Sequence, residues 1–151
     1  MSDNKRRKGD PFAELRQLHD RSLPHNWVPL SRFIKVSDKS LFQKTCGKFP
    51  GGSSENSFSE TNHHPVLLLK RIGNYNYRFC PCTSQKRNRF SYIPEGTELE
   101  LNPMLTDKNS YICHVFLFGL SADNSIVTQD NFSGIVREND IVGDQYKEGM
   151  K

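Results

Sequence analysis

The amino-acid sequence predicts a mainly β domain, a small antiparallel barrel or sandwich. Three observations predict it: short segments of apolar or alternating character recur along residues 65–141, turn residues separate them, and a single helical pattern precedes them all. At 151 residues the chain has the length of one domain, since domains contain roughly 100–200 residues. A chain of this size can bury a stable core without disulfides or a metal.

The N-terminal part of the chain is polar and precedes the predicted strands. Residues 1–9 contain no apolar side chain after the first methionine and are predicted to be a basic, disordered tail. Asp10 followed by Pro11 places an N-cap before a proline at the first helical position, which predicts a short helix. The predicted organisation is a tail over 1–9, a helix within 10–24, a single β-barrel domain over 25–145 and a C-terminal tail over 146–151.

The strongest strand signals form a hairpin in the middle of the chain. Residues 65–71 contain a continuous apolar run, which is typical of a strand buried on both faces. A turn signal at Gly73 and Asn74 follows, and residues 75–83 then alternate between apolar and polar side chains. We therefore expect the two segments to pair. Further strands are predicted at 26–36, 89–93, 97–101, 111–118, 125–128 and 134–141.

Residues 44–62 interrupt the strand pattern with a segment rich in Gly, Ser, Asn and Thr. The segment has Gly51-Gly52-Ser53-Ser54 at its centre and lacks the apolar spacing of a core element. Loops longer than about 12–15 residues within a domain are usually functional or disordered. We therefore predict a long flexible loop that closes over a binding site.

Basic residues are concentrated in one part of the chain. The formal net charge is +4, yet residues 63–94 contain six lysines or arginines and no acid, whereas residues 95–151 are net acidic. This asymmetry predicts a one-sided positive potential that attracts the phosphate backbone of a nucleic acid.

The hydropathy and the cysteine pattern indicate a cytoplasmic protein without a metal. No apolar run approaches the ~20 residues that span a bilayer, and the basic N-terminus has no apolar stretch behind it, so neither a membrane span nor a secretory signal is expected. The four cysteines are expected to be free thiols in a reducing compartment. Cys80 and Cys82 are separated by one residue, not by the roughly two to four of zinc sites, so no metal or other cofactor is expected.

Polar and basic residues are expected together at one edge of the predicted hairpin. His64 lies where the first strand begins and Thr83 where the second strand ends, and in an antiparallel pair those two points are neighbours. Metal-free RNA cleavage needs a group that takes the 2′-OH proton, a group that protonates the leaving 5′-oxygen, and donors that stabilise the phosphorane. Each motif alone is ordinary for an exposed loop, so their joint placement is what indicates a site.

These motifs resemble the paired signature of the MazF/PemK toxin family of endoribonucleases. In this chain the sequence His-Pro-Val-Leu-Leu-Leu begins at His64, and the sequence Cys-Pro-Cys-Thr-Ser-Gln ends at Gln85. In that family a strand that begins with Arg-Pro follows a long flexible loop and pairs with a strand that ends in a Pro-X-Thr-(Thr/Ser)-(Gln/Ser) motif. The resemblance covers about residues 60–90.

The resemblance implies an SH3-like barrel that forms a homodimer and inhibits growth by metal-independent cleavage of single-stranded RNA. It also implies an antitoxin protein as a partner. The family's catalytic Arg corresponds to His64 and its catalytic Thr or Ser corresponds to Thr83. Because imidazole titrates near pH 7 but lacks the permanent charge of arginine, His64 would act as an acid or base. The RNA-binding residues predicted beside them are Ser84, Gln85, Lys86, Arg87, Arg89 and Arg78.

A small β-barrel can also bind without catalysis, either to single-stranded nucleic acid or to a protein partner. Aromatic side chains interleaved with basic residues suit the stacking of bases. At least two of the four aromatic residues in this region are expected to pack in the core instead. The four are Tyr75, Tyr77, Phe79 and Phe90.

Overall fold

The computed structural model describes residues 27–51, 62–73, 75–102, 104–121, 124, 126–127 and 129–151. The tail predicted at 1–9 and the helix predicted within 10–24 lie outside the described residues. The elements in chain order are β1 (Ser31–Ser37), α1 (Asp38–Lys44), β2 (His63–Ile72), β3 (Asn76–Thr83), β4 (Tyr92–Ile93), β5 (Ser110–Ile112), β6 (Phe118–Ser121) and β7 (Phe132–Ile135), with 3-10 helices at Gln129–Asn131, Glu138–Asp140 and Gln145–Met150.

The strands form an antiparallel sheet that curls into a half-barrel. Its order is β4-β5-β3-β2-β1-β7, and β6 also pairs with β3. The hairpin expected from residues 65–71 and 75–83 is present as β2 and β3, and it occupies the centre of the sheet. The predicted mainly β, antiparallel fold class is therefore confirmed.

Both faces of the sheet are covered by apolar side chains. Along β2, Val66 and Leu68 belong to one buried cluster, which we call the first core, whereas Leu67 and Leu69 belong to another, the second core. This division follows from the alternation of side chains along a strand. The predicted burial of this strand on both faces is confirmed, since all four residues are fully buried. The first core also contains Phe33, Leu41, Phe49, Tyr77 and Phe79, and the second core also contains Cys80, Cys82, Leu99, Ile112 and Tyr146.

The seven-residue helix α1 is not predicted from the sequence, since its residues lie between the strand predicted at 26–36 and the start of the loop predicted at 44–62. The Ser37 side chain accepts a hydrogen bond from the Ser40 backbone N–H at 3.1 Å, which satisfies one of the free donors at the start of the helix. Leu41 anchors the helix in the first core. Two turns are too short for a helical repeat to be recognised in the sequence.

Several predicted strands are shorter than expected or divided. The strand predicted at 111–118 is two strands, β5 and β6, because a turn between them contains the hydrogen bond from the Phe116 N–H to the Cys113 carbonyl. Residues 97–101 form only isolated bridges, in which Glu98 pairs with Leu105 and Glu100 with Ile135. The strand predicted at 134–141 ends at Ile135.

Two predicted flexible segments contain packed residues. In the predicted loop at 44–62, Thr45 is buried and Phe49 lies in the first core, while residues 52–61 lie outside the described residues. The predicted C-terminal tail at 146–151 largely coincides with the last 3-10 helix, and Tyr146 lies in the second core. A single buried aromatic residue leaves no periodic signal in the sequence, so this docking could not be predicted from it.

Among the described residues, no helix has the length and apolar character needed to cross a bilayer. The same residues contain no group of three or more His, Cys, Asp or Glu side chains arranged to bind a metal ion.

Candidate functional site

A cavity of about 220 Å³ lies at the edge of the sheet where β2 begins and β3 ends. It opens beside His63, His64 and Pro65 of β2 and Ser84, the residue after β3. Arg32 of β1 and the loop at 107–110 complete its wall. The cavity is at the edge where the sequence analysis expects a site, and it contains two of the predicted site residues, His64 and Ser84.

Arg32 is the most deeply buried charge in the wall of the cavity, with 9% of its surface exposed. It pairs with Leu67 across β1 and β2, which places it on the face of the second core. Its Nη1 donates a hydrogen bond to Ser133 Oγ at 3.2 Å, and its buried Nε has no partner in the described part of the chain. Burial lowers the pKa of the guanidinium, and the nearby Cys82 and Asp107 side chains partly oppose that shift.

His64 is held by a carboxylate that the sequence analysis does not include. The His64 Nδ1 lies 2.5 Å from Oδ1 of Asp38, the first residue of α1. The imidazole also packs edge-on against Phe49, with ring centroids 5.0 Å apart. These contacts fix the orientation of the ring and leave Nε2 as the nitrogen that can exchange a proton with a ligand.

The position of Asp38 follows from the pairing of β1 with β2. Ser37 lies opposite His63 in that pairing, and the chain then turns into α1. The Asp38 backbone N–H donates a hydrogen bond to the Asn62 carbonyl at 2.8 Å, which ties the start of the helix to the start of β2. The sequence contains a weak signal for this arrangement, since Ser37-Asp38 is a common beginning for a helix.

Thr83 is buried at the end of β3, whereas Ser84 is exposed and lines the cavity. The Thr83 Oγ1 accepts a hydrogen bond from the Gln85 backbone N–H at 3.2 Å. The β2–β3 ladder runs as far as Val66 opposite Pro81, so alternation places His64 and Thr83 on the same face of the sheet. Of the two, Ser84 lines the cavity, and it is one of the predicted RNA-binding residues.

The predicted RNA-binding residues divide into two groups. Gln85, Lys86 and Arg89 are exposed and Arg87 is partly exposed in the segment that follows Ser84, close to the cavity in the chain. Arg78 lies at the other end of β3, where its Nη1 donates hydrogen bonds to the Gly149 and Lys151 carbonyls at 3.1 and 2.7 Å. The structure thus brings His64 and Ser84 to one edge, with the basic segment directly after Ser84 in the chain, and places Arg78 at the other end of β3. In the cavity wall itself, the exposed cation is Lys108.

The three buried cysteines, Cys80, Cys82 and Cys113, are neutral thiols near pH 7. Burial raises the pKa of Cys82 to about 11, while the Arg32 charge and a hydrogen bond with Ser110 oppose the shift. Burial also raises the pKa of Cys113 to about 12. All four cysteines are free, and only Cys46 is exposed. A thiol with so high a pKa is a poor nucleophile at neutral pH.

The four aromatic residues considered for base stacking, Tyr75, Tyr77, Phe79 and Phe90, do not form one exposed surface. Tyr77 and Phe79 are fully buried in the first core, and Phe90 is partly buried against it. The expectation that at least two of the four aromatic residues pack in the core is confirmed. Tyr75, which is 62% exposed, lies before β3 at the end of the hairpin far from the cavity.

Comparisons of the chain with models of known families, with curated proteins and with solved structures give no match.

Proposed function

We propose that this chain is a metal-independent endoribonuclease that cleaves single-stranded RNA, as the resemblance to the MazF/PemK family implies. One observation carries the proposal: His64, whose Nδ1 is held by Asp38, lines a cavity that Arg32 also lines. A positioned imidazole beside a permanent positive charge is suited to proton transfer at a phosphodiester.

RNA carries its own nucleophile, so the protein has to move protons and stabilise charge. In the proposed reaction, His64 Nε2 takes the proton of the 2′-OH, and the 2′-oxygen attacks the adjacent phosphorus. The new P–O2′ bond forms as the P–O5′ bond breaks, which leaves a 2′,3′-cyclic phosphate and a 5′-oxygen. The 5′-oxygen takes a proton from solvent and leaves as a hydroxyl. Asp38 stabilises the imidazolium that forms on His64.

Arg32 and Ser84 supply the charge and the hydrogen bonds. The transition state carries extra negative charge on the phosphoryl oxygens, which a guanidinium and a hydroxyl can bind. In the family's motif an arginine precedes the proline, whereas here that position is His64. In the proposed site the permanent charge is supplied by Arg32 of β1 instead.

Growth inhibition, the antitoxin partner and the homodimer depend on the same resemblance and are predictions. The cytoplasmic location is a prediction from the hydropathy and the cysteine pattern. The basic segment with Lys86, Arg87 and Arg89 is proposed to hold phosphates that flank the cleaved one.

The test is incubation of the purified chain with mixed-sequence RNA in EDTA, with two substitutions at His64. His64→Ala removes the ring, and His64→Asn places an amide where the Nδ1 lies but removes the Nε2. Both are expected to lower the cleavage rate by about 10²–10⁴, the usual contribution of a positioned acid or base, with little loss of RNA binding. Unchanged cleavage in His64→Asn would contradict the role of Nε2. RNA binding without cleavage by the unsubstituted chain would favour a non-catalytic binding module.

A further inference from the structure

Arg32 has a charge that the described part of the chain does not neutralise. About nine-tenths of the residue is buried, and none of the ion pairs among the described residues includes it. Among the described residues, its side chain donates a hydrogen bond to the neutral Ser133 hydroxyl, and its Nε has no partner. Although burial lowers its pKa, an arginine in a protein remains protonated. A buried charge without a counter-ion destabilises the fold, which a purely structural role would not explain.

We propose that Arg32 is the anchor of a site for a single phosphate group, and that its natural ligand is a phosphate of a nucleotide. The nucleotide rests on the proposed function, whereas binding of phosphate itself does not.

The wall of the cavity contains the other groups that a phosphate requires. Ser84 and Ser110 bring hydroxyl donors from the end of β3 and from β5, and Lys108 brings a second cation to the mouth. A guanidinium donates in a planar fork, and hydroxyls beside it can reach the remaining oxygens of a tetrahedral anion. A water occupies about 30 Å³ of liquid, so a cavity of about 220 Å³ has room for one phosphate group and part of its sugar.

Asp107 is the internal alternative to a bound anion, because its carboxylate also borders the cavity. It contributes a small rise to the pKa of Arg32 but is exposed and forms no ion pair with it among the described residues. Arg32 and Lys108 together exceed its charge, so the cavity retains a net positive charge when its imidazoles are neutral. Phosphate is therefore the ligand that completes the site.

The experiment measures thermal unfolding of the full chain with inorganic phosphate, against sodium chloride at equal ionic strength. At a phosphate concentration about ten times the dissociation constant, Tm is expected to rise by about 3–6 °C, with no comparable rise in chloride. Arg32→Met should abolish the rise. Arg32→Lys retains the charge without the fork and should weaken phosphate binding by about tenfold or more. Arg71→Met is the matched control, since Arg71 is exposed at the far end of β2, and it should retain the full rise.

Nucleoside 3′-monophosphates and the corresponding nucleosides form a second arm. The monophosphates should raise Tm at lower concentration than inorganic phosphate, and the nucleosides should have little effect. If Arg32→Met fails to unfold cooperatively, the rise in Tm with phosphate is compared between Arg32→Lys and Arg71→Met. A smaller rise in Arg32→Lys supports the proposal, and an equal rise overturns it.

The proposal is overturned if phosphate raises Tm no more than chloride does, or if Arg32→Met retains the rise. A phosphate effect in a chain that cleaves no RNA would support this site and contradict the proposed endoribonuclease. Cleavage of RNA by a chain whose Tm does not respond to phosphate would contradict this site and support the proposed endoribonuclease.

Discussion

Two arginines of the sheet, Arg32 and Arg78, occupy opposite environments on either side of β2. Arg78 on β3 is partly exposed, and its Nη1 donates to two backbone carbonyls of the last 3-10 helix and the residue that follows it. Arg32 on β1 is more deeply buried, and the hydrogen bond that its side chain donates within the described residues goes to a serine hydroxyl. The more exposed side chain, that of Arg78, thus donates to two backbone carbonyls, whereas the buried side chain of Arg32 donates to one hydroxyl.

The difference separates a structural arginine from a functional one. Arg78 joins the end of the chain to the centre of the sheet and retains access to solvent, so its charge costs little free energy. Burial of Arg32 costs free energy that one neutral hydrogen bond offsets only in part. Residues that break a local rule without compensation concentrate at functional sites. The comparison therefore predicts different consequences when each arginine is replaced by methionine, which has an unbranched apolar side chain.

The largest difference is expected in RNA cleavage. Arg32→Met removes the permanent charge beside the reacting phosphate, and loss of one such stabilising group costs about 10²–10³ in the rate of the chemical step. Arg78→Met, at the other end of β3, is expected to have a far smaller effect. Single-turnover cleavage at saturating protein measures both. Equal losses in the two variants would contradict the assignment of Arg32 to the site.

For the free energy of unfolding, the larger loss is expected in Arg78→Met, not in Arg32→Met. Arg78→Met removes two hydrogen bonds to the C-terminal segment and is expected to lower the free energy of unfolding by about 1–2 kcal/mol. Arg32→Met removes an unpaired buried charge, so the free energy of unfolding should stay the same or increase. Urea denaturation of the three proteins at one pH tests the order. A loss larger for Arg32→Met than for Arg78→Met would indicate that Arg32 is structural.

The sequence predicts the central hairpin because its signals are local. A continuous apolar run, a turn and an alternating strand lie within residues 65–83, and β2 and β3 form there. The division of residues 111–118 into β5 and β6 is not predictable in the same way, because the apolar pattern continues through the turn that separates them. Tertiary contacts, not propensity, decide where those strands end.

The candidate site shows the same limit. His64 and Ser84 belong to motifs next to the hairpin, so their spacing along the chain predicts that they meet. Arg32 lines the same cavity, and Asp38 contacts His64, through the pairing of β1 with β2. A pairing across the long segment between those strands has no local signal. Ser84, the residue after β3, lines the cavity, whereas Thr83 is buried at the end of the strand.

The basic segment after β3 should affect binding more than chemistry. Replacement of Lys86, Arg87 or Arg89 by Gln is expected to weaken RNA binding several-fold for every sequence, because these side chains would contact flanking phosphates. Each substitution should also reduce the slope of log K against log salt by about 0.7, the value for one contact with a single strand. Fluorescence anisotropy at several salt concentrations measures both quantities. A variant that alters sequence preference but leaves the salt slope unchanged would contradict a phosphate-holding role.

The smallest expected effect is that of the Arg32 charge on the pKa of the nearby Cys82 thiol. Burial raises the pKa of Cys82 from an ordinary value of 9.0 to about 11, and Arg32 holds it below the value that burial alone would produce. Because the folded-state pKa is the higher one, the contribution of Cys82 to stability is complete below about pH 9 and declines as the pH rises toward 11. The decline is at most about 1.4 kcal/mol per pH unit for this thiol. In Arg32→Met the pKa of Cys82 should rise further, so the decline should continue to higher pH.

Other groups also titrate above pH 9, so the contribution of Cys82 has to be isolated by Cys82→Ala in both backgrounds. Unfolding free energies of the four proteins between about pH 8 and pH 11 form a double-mutant cycle, with the values near pH 8 as the baseline for the lost packing of the thiol group. We expect Cys82→Ala to remove part of the alkaline loss of stability in the unsubstituted protein, and a larger part in Arg32→Met. An identical contribution in the two backgrounds would mean that the guanidinium charge is not felt at Cys82. In that case the charge would already be neutralised, and the contrast between Arg32 and Arg78 would lose its physical basis.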